Sequence, residues 1–126
     1  PEIRSKMVDF QRNIAGKSDC VLEGRDIGTV VFPDANLKLY ITASLECRAR
    51  RRMLELELLR KKSQHTIPVV SLSEVKSQIS SRDLQDQSRS VAPLVRADDA
   101  IELDTSNLSF EEVITQISDL IKDQYE

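Results

Sequence analysis

Arg25 and Asp26 stand between Gly24 and Gly28, directly after the short apolar run Cys20-Val21-Leu22. A guanidinium beside a carboxylate can orient a polar or anionic ligand, and flanking glycines let backbone approach a phosphate or sugar closely. At the carboxyl end of a parallel strand this is where an α/β protein binds its ligands; the same spacing also suits an ion pair that closes a turn. A second set of charges follows Ser71-Leu72-Ser73-Glu74, a capping box. The inward positions of that helix run Val75, Ile79, Arg82, Asp86 and Arg89, so an apolar stripe becomes charged midway. Charges that continue a buried stripe need partners or a cleft. Arg82 and Asp86 are also an i, i+4 pair of the kind that supports an exposed helix, which leaves Arg89 on the same line without an explanation. A third set, Arg48, Arg51 and Arg52, gathers like charge on one helical face. A phosphate would relieve their repulsion, because the planar guanidinium gives paired hydrogen bonds and stays charged; a solvated basic face offset by Glu46, Glu55 and Glu57 is the alternative.

Other residue patterns do no chemistry. Gly16-Lys17-Ser18 mimics the end of a phosphate-binding loop, but Gln11 stands where its first glycine belongs and the order is helix then strand. The true loop needs strand then helix, so that amides at a helix start face the phosphates. His65 is the single histidine and reads as a plain loop residue, with no metal site indicated. Cys20 and Cys47 read as reduced, small buried hydrophobes in a predicted strand and a predicted helix.

The elements that must hold these groups alternate. Ile3, Met7, Phe10 and Ile14 mark an amphipathic helix, with Gly16 placed for a left-handed cap. Residues 20–22 read as a buried strand, 37–42 as a second and 100–103 as a third. Ser44 can cap a helix carrying Leu45, Ala49, Met53 and Leu56, and residues 60–70, with Pro68, read as a mobile loop. Ser109-Phe110-Glu111-Glu112 opens a last helix expected to bury Phe110, Val113, Ile114, Ile117, Leu120 and Ile121. Strands alternating with helices predict an α/β fold with a parallel sheet and helices on both faces.

The chain has 126 residues and a formal net charge of -3, which argues against a binder of nucleic acid polymers. Its positive charge is nonetheless clustered in Arg48, Arg50, Arg51, Arg52, Arg60, Lys61 and Lys62, suiting a compact anionic ligand. No apolar run is long enough to span a membrane and no signal peptide opens the chain, so a cytoplasmic protein is expected, without membrane partners. The chain opens on Pro1 and leads straight into a helical pattern, as a piece of a longer protein would.

Four motifs in order carry a resemblance: Glu23-Gly24-Arg25-Asp26-Ile27-Gly28-Thr29-Val30-Val31-Phe32-Pro33-Asp34-Ala35, the Arg48-x-x-Arg51-Arg52-Met53 run, Arg82-Asp83-x-x-Asp86-x-x-Arg89-x-Val91-Ala92-Pro93-Leu94, and Leu103-Asp104-Thr105-Ser106. Together they resemble the C-terminal portion of bacterial cytidylate kinase, covering the chain from Val21 onward. The resemblance implies a partial P-loop nucleoside monophosphate kinase fold, with residues 1–126 as one portion of the kinase domain and roughly 44–90 as the helical lid and its flanking helices. It implies transfer of the terminal phosphate of ATP to CMP or dCMP with Mg²⁺, with no metal ligand assigned in this chain. Arg25 and Asp26 are then expected to border the CMP pocket, where a carboxylate can accept from the exocyclic amino group of cytosine that uracil lacks. Arg82 and Asp86 match positions expected at the ribose hydroxyls, and Arg89 one facing base or phosphates. Arg48, Arg51 and Arg52 match the lid over ATP, with Arg89 joining them as the charge-stabilising set, and Asp104 and Thr105, with Ser106, match a loop near adenine that also reads as a strand-end turn.

The departure from the family is the N-terminal part with its phosphate-binding loop, and the 60–70 stretch is longer than the family pattern. Without that loop the chain alone is expected to be inactive. The whole enzyme is expected to be a monomer, whereas a chain missing its central strand is expected to self-associate through an exposed sheet edge. A noncatalytic nucleotide-binding or interaction module built on this half of the fold, and a kinase with another acceptor, stand as the alternatives.

Overall fold

The computed structural model describes residues 2–63, 68–91 and 93–125. In chain order it holds α1 (Glu2–Ala15), a single π-type turn (Ile27–Val31), β1 (Leu39–Thr42), α2 (Leu45–Lys62), α3 (Leu72–Gln87), β2 (Ile101–Asp104) and α4 (Phe110–Tyr125). The sheet is the pair β1-β2. Its register follows from two backbone bonds, Ile101 N–H to the Lys38 carbonyl at 2.9 Å and Thr105 N–H to the Thr42 carbonyl at 2.7 Å. Both partners advance together by the same step, which only a parallel pair does. The fold is thus α/β with a short parallel sheet, consistent with part of a nucleoside monophosphate kinase fold.

The chain divides into two compact units, Pro1–Tyr40 with Asp86–Ile101, and Ile41–Gln85 with Glu102–Glu126. In the first, Arg12 ties α1 to the π-type turn, and Val31 and Ala100 are buried. Lys38 buries its stem while its ammonium reaches the Pro33 carbonyl and Asp99 at 2.9 Å. That ion pair, made by a hydrogen bond first of all, holds the Asp99 carboxyl below its ordinary range. Gly28 lies against the same stem, where a Cβ would stand 3.3 Å from Lys38 Cδ, and at Gly24 one would stand 2.8 Å from Ile27 Cγ1. Both glycines therefore serve close approach.

In the second unit each helix starts on its own sequence signal. Ser44 Oγ accepts from Cys47 N–H at 3.1 Å to open α2, and Ser71 Oγ accepts from Glu74 N–H at 3.2 Å to open α3. At α4 the box is reciprocal: Ser109 Oγ accepts from Glu112 N–H at 3.2 Å and Glu112 Oε2 accepts from Ser109 N–H at 2.7 Å. Ala49, Val75, Leu103 and the polar Thr105 are the buried residues around these elements.

Several expectations are corrected. Residues 20–22 belong to neither strand and Val21 is 93% exposed, because three apolar residues become a strand only against a neighbouring edge and the sheet is β1 and β2. Cys20 is accordingly exposed and Cys47 partly so, and neither forms a disulfide. Gly16 takes no left-handed conformation; its N–H bonds the Arg12 carbonyl at 2.9 Å and Lys17 N–H bonds that of Ile14 at 3.4 Å, tightening the last turn instead. α2 runs on through Lys62, as Leu58 and Leu59 favour helix and Arg60, Lys61 and Lys62 suit its negative end. Part of the expected 60–70 loop, His65 included, lies outside the described residues, as do Pro1 and Ala92 of the third motif. The apolar stripe of α1 exists but is uncovered, with Ile3 80% exposed, and that of α4 is only partly covered, Val113, Ile117 and Leu120 being half-buried while Phe110 is 76% exposed. Helical periodicity reports which residues share a face, not what lies against it.

Candidate functional site

The first unit assembles Arg4, Arg25, Asp26, Asp86 and Arg89. Asp26 immediately precedes the π-type turn, with its backbone carbonyl accepting from Val30 N–H at 2.9 Å, from Val31 N–H at 3.2 Å and from the Thr29 hydroxyl at 3.4 Å. Its carboxylate pairs with Arg4 from α1. Arg25 donates through Nε to Asp86 Oδ2 at 2.9 Å. Asp86 is only 8% exposed, near the end of α3, and Arg89 Nε lies 4.0 Å from its other oxygen. The Asp86 backbone carbonyl also accepts from Leu94 N–H at 2.8 Å, which fastens the chain after α3 to that helix end. The result is two carboxylates, each held by an arginine, with Arg25 and Arg89 still partly open to solvent. Such an arrangement can take anionic and hydroxyl groups without a bare buried charge.

Of the α3 stripe, Val75 is buried, Ile79 half-buried, Asp86 buried, and Arg82 and Arg89 are exposed. The charged continuation is therefore inward only at Asp86. Arg82 belongs to the second unit and Asp86 and Arg89 to the first.

The second unit holds the three arginines of α2, and each meets something different. Arg48 donates to the Ala43 carbonyl at 3.1 Å, and its Nη1 is 3.0 Å from Asp83 Oδ1 and 2.8 Å from Oδ2. Arg51 spans Thr105, reaching its hydroxyl at 3.0 Å and its carbonyl at 2.6 Å. Arg52 makes an i, i+3 pair with Glu55 at 2.9 Å on the surface. The repulsion expected among them is thus relieved by protein groups, Asp83, Thr105 and Glu55. Arg50, also on α2, pairs with Glu46 at 2.9 Å, and Lys76 meets the same carboxylate, whose pKa the Lys76 and then the Arg50 hydrogen bonds hold below the ordinary range.

Past β2, Asp104, Thr105 and Ser106 form one hydrogen-bonded corner. Asp104 Oδ1 accepts from the Ser106 hydroxyl at 2.6 Å and its N–H at 2.9 Å, which holds that carboxyl below its ordinary range. Ser106 Oγ in turn accepts from Ser44 N–H at 2.7 Å at the start of α2. Thr105 is buried, and its hydroxyl donates to the Thr42 carbonyl at 2.9 Å.

Three participants were not anticipated. Arg4 and Arg12 lie on the polar side of α1, where only the apolar stripe drew notice, though basic residues eight apart on one helix fall close to one face. Asp83 stood inside the third motif without a partner assigned. Among the described residues no cluster of three or more acidic, histidine or cysteine groups could hold a metal ion, and no helix is long and apolar enough to cross a membrane.

Comparison with known proteins adds the family. The chain is 48% identical over its full length to a cytidylate kinase of Desulfitobacterium hafniense, covering 51% of that protein. It is 50% identical over 98% of its length to one of Fervidobacterium nodosum, covering 53%, and 45% identical over 95% to one of Lactobacillus johnsonii, covering 49%. The chain spans about half the length of the curated relatives it matches. With the cytidylate kinase family model matching residues 1–123 and these four motifs in order, the chain belongs to the cytidylate kinase family.

Proposed function

We propose that the protein carrying this chain moves the terminal phosphate of ATP to CMP or dCMP, and that this chain supplies the acceptor pocket and the lid arginines. The observation that carries the reading is the first unit's grouping of Asp26, Arg25, Asp86 and Arg89, two carboxylates and two partly open guanidiniums. In it Asp26 accepts from the cytosine amino group, Asp86 takes ribose hydroxyls, and Arg25 and Arg89 face the acceptor phosphate. Arg48 and Arg52, with Arg51, are assigned to the donor nucleotide, and Asp104 and Thr105 to the adenine side. Phosphoryl transfer asks a protein mainly for in-line placement and positive charge on the transferring group, which arginines provide. Surface-paired Arg52 can exchange Glu55 for a phosphate at little cost, since such pairs contribute at most about 1 kcal/mol. Mg²⁺, when bound with ATP, would add positive charge at the donor phosphates, and no residue of this chain is assigned to hold it.

The test is phosphorylation of CMP, UMP and shikimate by the full-length protein. CMP turnover well above the other two is the expected result; UMP used as well as CMP removes the role given to Asp26. The 126 residues alone are expected to release no ADP in a coupled assay, and turnover near that of the whole enzyme would overturn that. A noncatalytic module is the second reading. A Gly-x-x-x-x-Gly-Lys-[Ser/Thr] loop encoded upstream supports the kinase, and a start codon at Pro1's position supports the module.

A further inference from the structure

Arg12 has no role in the reading above, yet its guanidinium holds two consecutive backbone carbonyls. Nε donates to Val31 O at 2.9 Å and Nη2 to Val30 O at 3.0 Å. These are the last carbonyls of the π-type turn, which has no following helix to satisfy them. The peptide units they belong to point their N–H groups back into the turn. The unit joining Val30 and Val31 donates from Val31 N–H to the Asp26 carbonyl at 3.2 Å, and the next donates from Phe32 N–H to the Ile27 carbonyl at 2.7 Å. A cation on the oxygen of a peptide polarises its N–H, so each Arg12 bond strengthens one of the bonds that close the turn onto Asp26 and Ile27. The charge also sits at the negative end of the turn's aligned dipoles. Single π-type turns are rare and frequently occur at functional sites, and this one begins at the residue after Asp26.

We infer that Arg12 is a positioning residue for acceptor-base selection: from α1 it clamps the far end of the turn whose near end presents Asp26. The inference rests on the proposed role of Asp26 and reaches the substrate only through it. An arginine is required because one planar fork bridges two neighbouring carbonyls, which a lysine ammonium does less well.

The experiment uses the full-length kinase carrying this sequence, with Arg12→Met and Arg12→Lys. Losing charge-assisted bonds to the turn is expected to raise KM for CMP about tenfold in Arg12→Met, with KM for ATP within about twofold. The preference for CMP over UMP should shrink, and Arg12→Lys should restore part of both. Amide exchange of Val31 and Phe32 should accelerate in Arg12→Met more than exchange within α2. Equal rises in both KM values, or unchanged exchange at Val31 and Phe32, would overturn the clamp. Should the wild-type protein itself not distinguish CMP from UMP, the role of Asp26 fails while the exchange comparison still decides whether Arg12 secures the turn.

Discussion

Thr105 shows how much one side chain can be asked to do. Its N–H and hydroxyl both donate to the Thr42 carbonyl while its hydroxyl and carbonyl accept from Arg51, all in a position shielded from water. Replacing it with valine keeps the volume but strands the Arg51 donor and halves the supply to Thr42. Thr105→Val is therefore expected to destabilise the chain by about 1–3 kcal/mol in urea unfolding, whereas Glu55→Ala, at the surface pair of Arg52, should change it by less than about 1 kcal/mol. Asp104 gives a pH handle at the same corner. Its folded-state pKa is depressed by Ser106, so the link is in place above the ordinary carboxylate range and disappears as pH falls through the lowered value. The Ser106 amide resonance should move on acidification with a midpoint below that of an unpaired aspartate; a midpoint at the ordinary value would contradict the bond. Asp99, depressed by Lys38, should follow the same sign.

Helices were the readable part of the fold, and their caps explain why. Ser44, Ser71 and Ser109 each bond the amide three residues on, as Ser-x-x-Glu spelling leads one to expect at the latter two. Ser109→Ala removes the hydroxyl half of the α4 box, leaving the Ser109 N–H to Glu112 bond in place, and should cost about 0.5–2 kcal/mol by chemical denaturation; no change would mean that α4 starts elsewhere in solution. Residues 20–22 were not readable in this way, since a strand is defined by its partner and not by its own side chains. The site divides similarly. Arg25, Asp26, Asp86 and Arg89 were visible one by one, because a charge on an apolar stripe or between glycines is locally odd. That Arg25 would bind Asp86 across 61 positions, or that Arg4 would reach Asp26, depended on tertiary folding that no local spacing encodes. Arg51 was expected to face a nucleotide because its neighbours share its charge, yet its hydrogen bonds go to Thr105.

At the scale of the molecule, the apolar side chains outnumber the buried places for them. Ile3, Met7, Phe10 and Ile14 of α1, Val21, and Phe110 of α4 are all exposed, while only Val31, Ala49, Val75, Ala100 and Leu103 are buried apolar residues among those described. Apolar surface of this kind drives association in water. The isolated chain is expected to scatter light as dimers or larger species at high concentration, and a clean monomer throughout would refute this.

Each of the two units is stitched from pieces that are far apart along the polypeptide, residues up to Tyr40 with Asp86–Ile101 in one and Ile41–Gln85 with Glu102 onward in the other. A ribosome delivers these pieces in strict succession. Arg25 must therefore wait, its guanidinium without Asp86, while all of α2 and most of α3 are synthesised, and Arg51 waits in its turn for Thr105, 54 positions further on. Neither half can close early, so the nascent polypeptide keeps its apolar segments uncovered until translation has passed both partners, a window in which chaperone capture or premature clumping compete with folding.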